Sequence, residues 1–257
     1  MAGWERARGL GLAMAGGGGV VTVLASAAVV AAFEPLTGRS SASAAELLET
    51  VAVAASRVGA LGGGGPGAPG TTLAGVLLTE QAGRAYWLAF NVGDSRVYLL
   101  RDGAMEQISV DHSRRQELLD AGVDPERTTA ARNVITRAIG GGRPGMPVVD
   151  QWLRPAARGD RVLICSDGLT TELTDVLIQA TLRSNADPQD AARALVGAAL
   201  EAGGRDNVTA VVVDASRVGS TAGATGDDED TFDDGPQAAL DEDTEQLGPF
   251  IVWREEE

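Results

Sequence analysis

Between residues 70 and 109 three apolar runs follow one another closely, GTTLAGVLLTE, RAYWLAFNVG and SRVYLLRDG, and Met105 to Ser109 continues the pattern. Their Val, Leu, Tyr and Trp side chains suit a pleated surface, and only a few turn residues separate them. Connections that short predict antiparallel neighbours, because a parallel pair needs a crossover of about a dozen residues. RDG at 101–103 reads as a tight hairpin turn. RVLICSDG, 161–168, is a nearly continuous apolar strand, and DNVTAVVVDAS, 206–216, is a last buried one. TDVLIQATLRS and PQDAARALVGAALEAG read as two helices between them, the second opened by Pro188. On the other side, Val20 to Phe33 reads as a helix buried on several sides and Ser43 to Val58 as an amphipathic one. Strands in adjacent runs with helices outside them predict an α+β fold, a four-layer α-β-β-α sandwich of two mainly antiparallel sheets.

Charge narrows the partners. The formal net charge is −15, and residues 216–257 hold thirteen Asp or Glu against two Arg, so the folded part is only mildly acidic. A net negative field without a basic patch excludes nucleic acid, and a phosphorylated ligand would need metal ions to bind. Composition predicts that 217–257 is a disordered acidic tail. The single Cys165 rules out an internal disulfide or a cysteine-ligated zinc, and suits a reducing cytosol. Residues 9–33 carry no charge and follow Arg6 and Arg8, as in a leader or membrane span. Gly16 to Gly19 interrupt that stretch, leaving Val20 to Phe33 too short to cross a bilayer, so a cytoplasmic protein without a membrane partner is expected.

Three acidic residues share a context: Asp94 in NVGDSR, Asp167 in CSDGL and Asp206 in GGRDNVT. Each stands where an apolar strand meets a glycine-containing turn. Asp and Gly favour turns on their own account, and that reading covers any one of these positions. All three at strand ends also suit a rigid oxygen-rich site, whose hard ligands select Mg²⁺ or Mn²⁺ over zinc or copper.

The segments GTTLAGVLL, VGDSRVYLLRDG, DHS, RNVITRAIGG, GDRVLICSDGL and GGRDNVT occur in the order seen in PPM (type-2C) metal-dependent protein serine/threonine phosphatases, which the chain resembles from about Gly70 to Val213. The helix at 20–33 extends the resemblance towards the N-terminus. The resemblance implies a Mn²⁺ or Mg²⁺ centre between two sheets and hydrolysis of phosphoserine or phosphothreonine by a metal-activated water, with no covalent intermediate. It assigns Asp167 and Asp206 to a first metal, Asp94 with Asp167 to a weaker third-metal site, and supporting roles to Gly168 and Asn207, which would brace the Asp206 turn. Arg96 reads as structural, and His112 as a loop residue. Phosphorylated Ser/Thr proteins and a cognate kinase are the implied partners.

The N-terminus departs from that family. Family members begin with a strand pair carrying a phosphate-binding Arg and an acidic ligand, then Asp-Gly-Met-Gly-Gly-His. Here AGGGG, Ala15 to Gly19, takes that place, with Ala15 where the bridging Asp should stand and Val20 in place of the His. The abrupt change ahead of residue 20 reads as a truncation or change of reading frame more than as slow drift. The expected organisation is an atypical Gly-rich stretch over 1–19, an incomplete phosphatase domain lacking its N-terminal strands over 20–216, and the tail. A single loosely held ion and very low activity follow, the alternative being a non-catalytic pseudophosphatase that binds or regulates a phosphoprotein partner.

Overall fold

The computed structural model describes residues 10–13, 20–62, 67–131, 134–143, 145–216 and 246–247. Leu10–Ala13 forms β1 and Val20–Phe33 forms α1. Helix α2, Ala44–Ala60, begins where the Ser43 hydroxyl accepts from the Glu46 amide and the Glu46 carboxylate accepts from the Ser43 amide, which satisfies two otherwise open donors. Strands β2 (Gly70–Thr71), β3 (Leu73–Gln81), β4 (Arg84–Val92), β5 (Arg96–Arg101) and β6 (Ala104–Gln107) follow. Asp102 and Gly103 close the β5–β6 hairpin with φ of 51° and 81°. Positive φ at both positions matches the twist of the flanking strands, and glycine adopts it without steric penalty.

Helix α3 (Arg114–Asp120) leads through a one-turn-rich excursion to β7 (Ile139–Gly140), β8 (Asp150–Pro155) and β9 (Arg161–Cys165). Three helices come next: α4 (Asp167–Glu172), α5 (Asp175–Ser184) and α6 (Pro188–Ala202). Thr174 caps α5, while Asp187 caps α6 with Pro188 at its first position. Strands β10 (Ala210–Asp214) and β11 (Gln246–Leu247) complete the described chain.

One sheet has the order β1-β3-β4-β8-β11 and the other β10-β9-β5-β6, with every pairing antiparallel. Strand period decides how these layers stack. In β5, Val97 and Leu99 join the core that also contains Val29, Phe33, Val51 and Phe90. Their neighbours Tyr98 and Leu100 point the other way, into a core shared with Ile178 and Leu195 of α5 and α6. Strand β9 alternates in the same fashion, with Val162 and Ile164 on one side and Leu163 and Cys165 on the other. The second sheet is therefore covered on both faces. On the first sheet, Phe33 of α1 stacks on Phe90 of β4 at 6.4 Å between ring centres. The layers run helix, sheet, sheet, helix, as the sequence predicts.

Two details differ from the expectation. A strand does stand at the N-terminal position, since β1 pairs with β3 from Leu10↔Leu77 to Ala13↔Ala74. Strand pairing asks only for an extended backbone, so it forms without the motif side chains whose absence suggested otherwise. Within the segment read as a disordered tail, Gln246–Leu247 pairs with β8, and the rest of 217–257 lies outside the described residues. No helix among the described residues is long and apolar enough to cross a membrane.

Asp160 ties the two sheets together. Its buried carboxylate accepts from Trp87 Nε1 of β4 at 2.7 Å, from Arg101 Nε and Nη2 of β5 at 2.7 and 2.8 Å, and from the Ala157 amide at 2.8 Å. Burial alone would raise its pKa, but these donors outweigh burial and hold the carboxyl below its usual value. A depressed folded pKa means the stabilisation is present above the unfolded value of about 3.9 and is lost as pH falls through the lowered one. Asp160→Asn, which leaves a guanidinium and an indole N–H poorly matched, is expected to destabilise the fold by about 2–4 kcal/mol at pH 7. The loss should shrink below pH 4 in urea titrations.

Candidate metal centre

Strand β4 leaves the first sheet at Val92 and β5 enters the second at Arg96, so Gly93, Asp94 and Ser95 make a buried turn between sheets. A buried turn must satisfy its own polar groups. Asn91 Nδ2 donates to the carbonyls of Gly93 and Val110 at 3.0 and 3.1 Å, and the His112 amide donates to the Gly93 carbonyl at 2.7 Å. The Gly93 amide donates to His112 Nδ1 at 2.9 Å, which makes Nε2 the protonated ring nitrogen and directs it at Asp150 Oδ2, 3.0 Å away. Arg137 also binds Asp150. Burial would raise Asp150, but the hydrogen bonds from His112 and Arg137 keep it lowered. His112, read as a loop residue, is thus buried and fastens the turn that carries Asp94.

The side chain of Asp94 is a different matter. The residue is 5% exposed, and its Oδ1 has no hydrogen-bond partner among the described residues. Burial, followed by the nearby charges of Asp167 and Asp111, pushes its pKa up to about 8. Asp167 is the first residue of α4, at the end of β9, and is half-buried. Asp111 contributes less to the repulsion because Arg96 grips it with Nε and Nη2 at 2.8 and 2.7 Å, while Arg96 Nη1 reaches the Tyr98 hydroxyl at 3.0 Å. Arg96 is thus engaged with Asp111 and Tyr98, and its charge only partly offsets the effect of burial and of Asp167 on Asp94.

These residues surround a small cavity of about 20 Å³, lined by Asp94, Asp111, Asp167, Arg96, Ser113, Arg115, Thr170 and Thr171. That volume is close to the space of one water molecule or ion. An all-oxygen donor set, with one buried carboxylate oxygen unsatisfied, fits a hard divalent cation. Among the described residues no group of three or more His, Cys, Asp or Glu side chains is disposed around one ion. Asp94 and Asp167 are the two lining carboxylates that Arg96 does not grip.

Asp206 does not line the cavity; it stands exposed, its Oδ1 accepting from the Asn207 amide at 2.7 Å. Its turn nonetheless lies against the centre. A methyl group at Gly168 would overlap the Asn207 carbonyl and come within 3.6 Å of the Asp206 carbonyl carbon, so only glycine lets that loop approach the start of α4. Ser166 fastens the same junction, donating to the Asn207 carbonyl at 3.2 Å and accepting from the Thr209 amide at 3.0 Å. Ala15 to Gly19 lies outside the described residues.

The crystal structure of the Mycobacterium tuberculosis serine/threonine phosphatase PstP/Ppp matches with a TM-score of 0.70 at 32% identity, over 83% of this chain and 91% of that one. The PPM Ser-Thr phosphatase MsPP from Mycobacterium smegmatis, in complex with cacodylate, matches at 38% identity and a TM-score of 0.61, over 75% and 80% of the two chains. The chain belongs to the bacterial PPM phosphatase family.

A PPM fold here agrees with a PstP catalytic domain in complex with two manganese ions, 34% identical, TM-score 0.65, over 82% of this chain and 94% of that one. Among curated relatives, the phosphatase stp of Listeria innocua is 32% identical over 148 residues, which is 56% of each protein. PstP of Mycobacterium tuberculosis is 40% identical over 148 residues, 56% of this chain and 27% of that protein. The match thus spans about a quarter to just over half the length of these curated relatives. No protein-family model matches the chain.

Sequence reasoning singled out Asp94 and Asp167 by residue type and context, but not Asp150, Ser166 or the cavity-lining Arg115, Thr170 and Thr171. Packing between segments distant in sequence brings them here, and no local pattern marks them. Asp94 keeps its proton to about pH 8 in the fold but loses it near 3.9 when unfolded, so the fold binds more protons across that window. Metal-free protein is expected to lose stability as pH rises from about 4 through about 8. Added Mn²⁺ should reverse the loss above pH 8 by neutralising the ionised pair, as read by thermal melts in chelator and in excess Mn²⁺.

Proposed function

We propose that this chain is a metal-dependent phosphoprotein phosphatase domain acting on phosphoserine and phosphothreonine, with a reduced metal site and correspondingly low turnover. One observation carries the reading: inside a PPM fold, Asp94 presents an unsatisfied buried oxygen beside Asp167 at an ion-sized cavity. Asp94 and Asp167 would hold Mn²⁺ or Mg²⁺, with Asp206 on the adjoining loop and Gly168 and Asn207 supporting that loop. A bound divalent ion supplies Lewis acidity and lowers the pKa of its water towards neutrality.

The protein's own side chains set the order of events. Carboxylates lining the cavity repel a phosphate dianion, so substrate binds productively only after a cation has neutralised them. A covalent phosphocysteine route is disfavoured. Cys165 is completely buried and burial pushes its thiol pKa far up, which removes the thiolate needed for attack. Phosphorylated Ser/Thr proteins are the proposed substrates, a kinase that phosphorylates them the proposed counterpart, and the cytoplasm the proposed setting. The acidic composition argues against nucleic acid.

Hydrolysis of p-nitrophenyl phosphate and of a phosphothreonine peptide, titrated with Mn²⁺, tests this. The wild-type chain is expected to give a slow rate that saturates with Mn²⁺ and falls at least about tenfold in Asp167→Asn. A rate no higher than that of the variant would overturn catalysis and favour the pseudophosphatase reading, in which the same site binds a phosphoprotein without cleaving it.

A further inference from the structure

A cavity of about 20 Å³ accommodates one ion and cannot also accommodate a phosphoryl group. Any phosphate drawn to that ion must rest outside it; apart from the three carboxylates and Arg96 the lining consists of Ser113, Arg115, Thr170 and Thr171, of which Arg115 and Thr171 are partly exposed. Only one of these four is a cation. Arg115 is half-buried on α3, and among the described residues it makes no ion pair or hydrogen bond. Other arginines around it are committed. Arg96 is held by Asp111, Arg137 by Asp150, and the exposed neighbour Arg114 by Glu117 at 2.8 Å.

A guanidinium that lines a pocket with three carboxylates, yet pairs with none, is placed for an anion that arrives from outside. The short helix carrying it is fixed in place. Ser113 accepts from the Gln116 amide at 3.2 Å, the Arg114 amide donates to the Val134 carbonyl at 2.8 Å, and Ser113 bridges to Ile135. An anchored backbone reduces the side-chain ordering needed to hold a ligand. Guanidinium also presents paired N–H groups whose geometry matches two phosphate oxygens.

We infer that Arg115 is the residue that grips the phosphoryl group of the substrate, over a cation held by Asp94 and Asp167. This rests on the phosphatase reading above and adds to it the source of phosphate affinity. Inorganic phosphate is the probe, its binding to the full chain measured by calorimetry in saturating Mn²⁺, with Mn²⁺ binding measured separately. Arg115→Ala is expected to weaken phosphate about 10- to 100-fold while retaining Mn²⁺, and Arg115→Lys to recover part of that loss. Arg114→Ala, one residue away and facing Glu117, should leave phosphate binding unchanged.

Wild-type phosphate affinity in Arg115→Ala, or an equal loss in Arg114→Ala, would overturn the grip while leaving the phosphatase reading intact. If the wild-type chain binds no phosphate in Mn²⁺, the phosphatase reading fails and the grip fails with it. Unchanged melting of each variant shows that folding is not the cause.

Discussion

A chain that passes from one buried sheet to another has to bury the turn between them, and a buried turn must account for every amide and carbonyl it contains. Gly93, Asp94 and Ser95 meet that demand with help from far along the sequence. Asn91 and His112 satisfy the Gly93 backbone, and Thr72 Oγ1 lies 3.2 Å from Ser95 Oγ. Asp150 and Arg137 in turn fix His112 through its other nitrogen. What this network leaves unpaid is the Asp94 carboxylate itself. Its backbone is held rigidly while its Oδ1 is left without a donor, and this combination makes the position suitable for a cation.

The electrostatics of the centre follow from how few counter-charges reach it. Three carboxylates line the cavity, and of the two arginines beside them among the described residues Arg96 is engaged with Asp111 and Tyr98. The remaining pair resists ionising together, as two like charges in a low-dielectric setting must. A cation at that point relieves desolvation and repulsion at once. A site with two side-chain ligands holds a divalent cation more weakly than one with four or five.

Much of the fold is legible in the sequence because period and punctuation carry it. The alternation in SRVYLLRDG assigns Val97 and Leu99 to one face and Tyr98 and Leu100 to the other, and Asp-Gly at 102–103 supplies the hairpin. Helices α2, α5 and α6 announce themselves by their caps at Ser43, Thr174 and Asp187. Strand β1 is not legible, since LGLA has neither alternation nor a distinctive side chain and owes its place to the open edge of β3. At the site, Asp94 and Asp167 stand out by context. The exposure of Asp206, the His112–Asp150–Arg137 chain and the placement of Arg115 at the cavity depend on contacts between segments tens of residues apart, which no local pattern encodes.

The lone thiol at the end of β9 has a use unrelated to chemistry on substrate. Cys165 is shielded by the strands on either side and by the helices beyond, two positions before Asp167. An alkylating reagent can reach it only when the helices packed on that face lift away, which also unseats α4 and the Asp167 that opens it. The rate at which this one sulfur becomes modified therefore serves as an internal clock for the uncovering of the second sheet, without any added label.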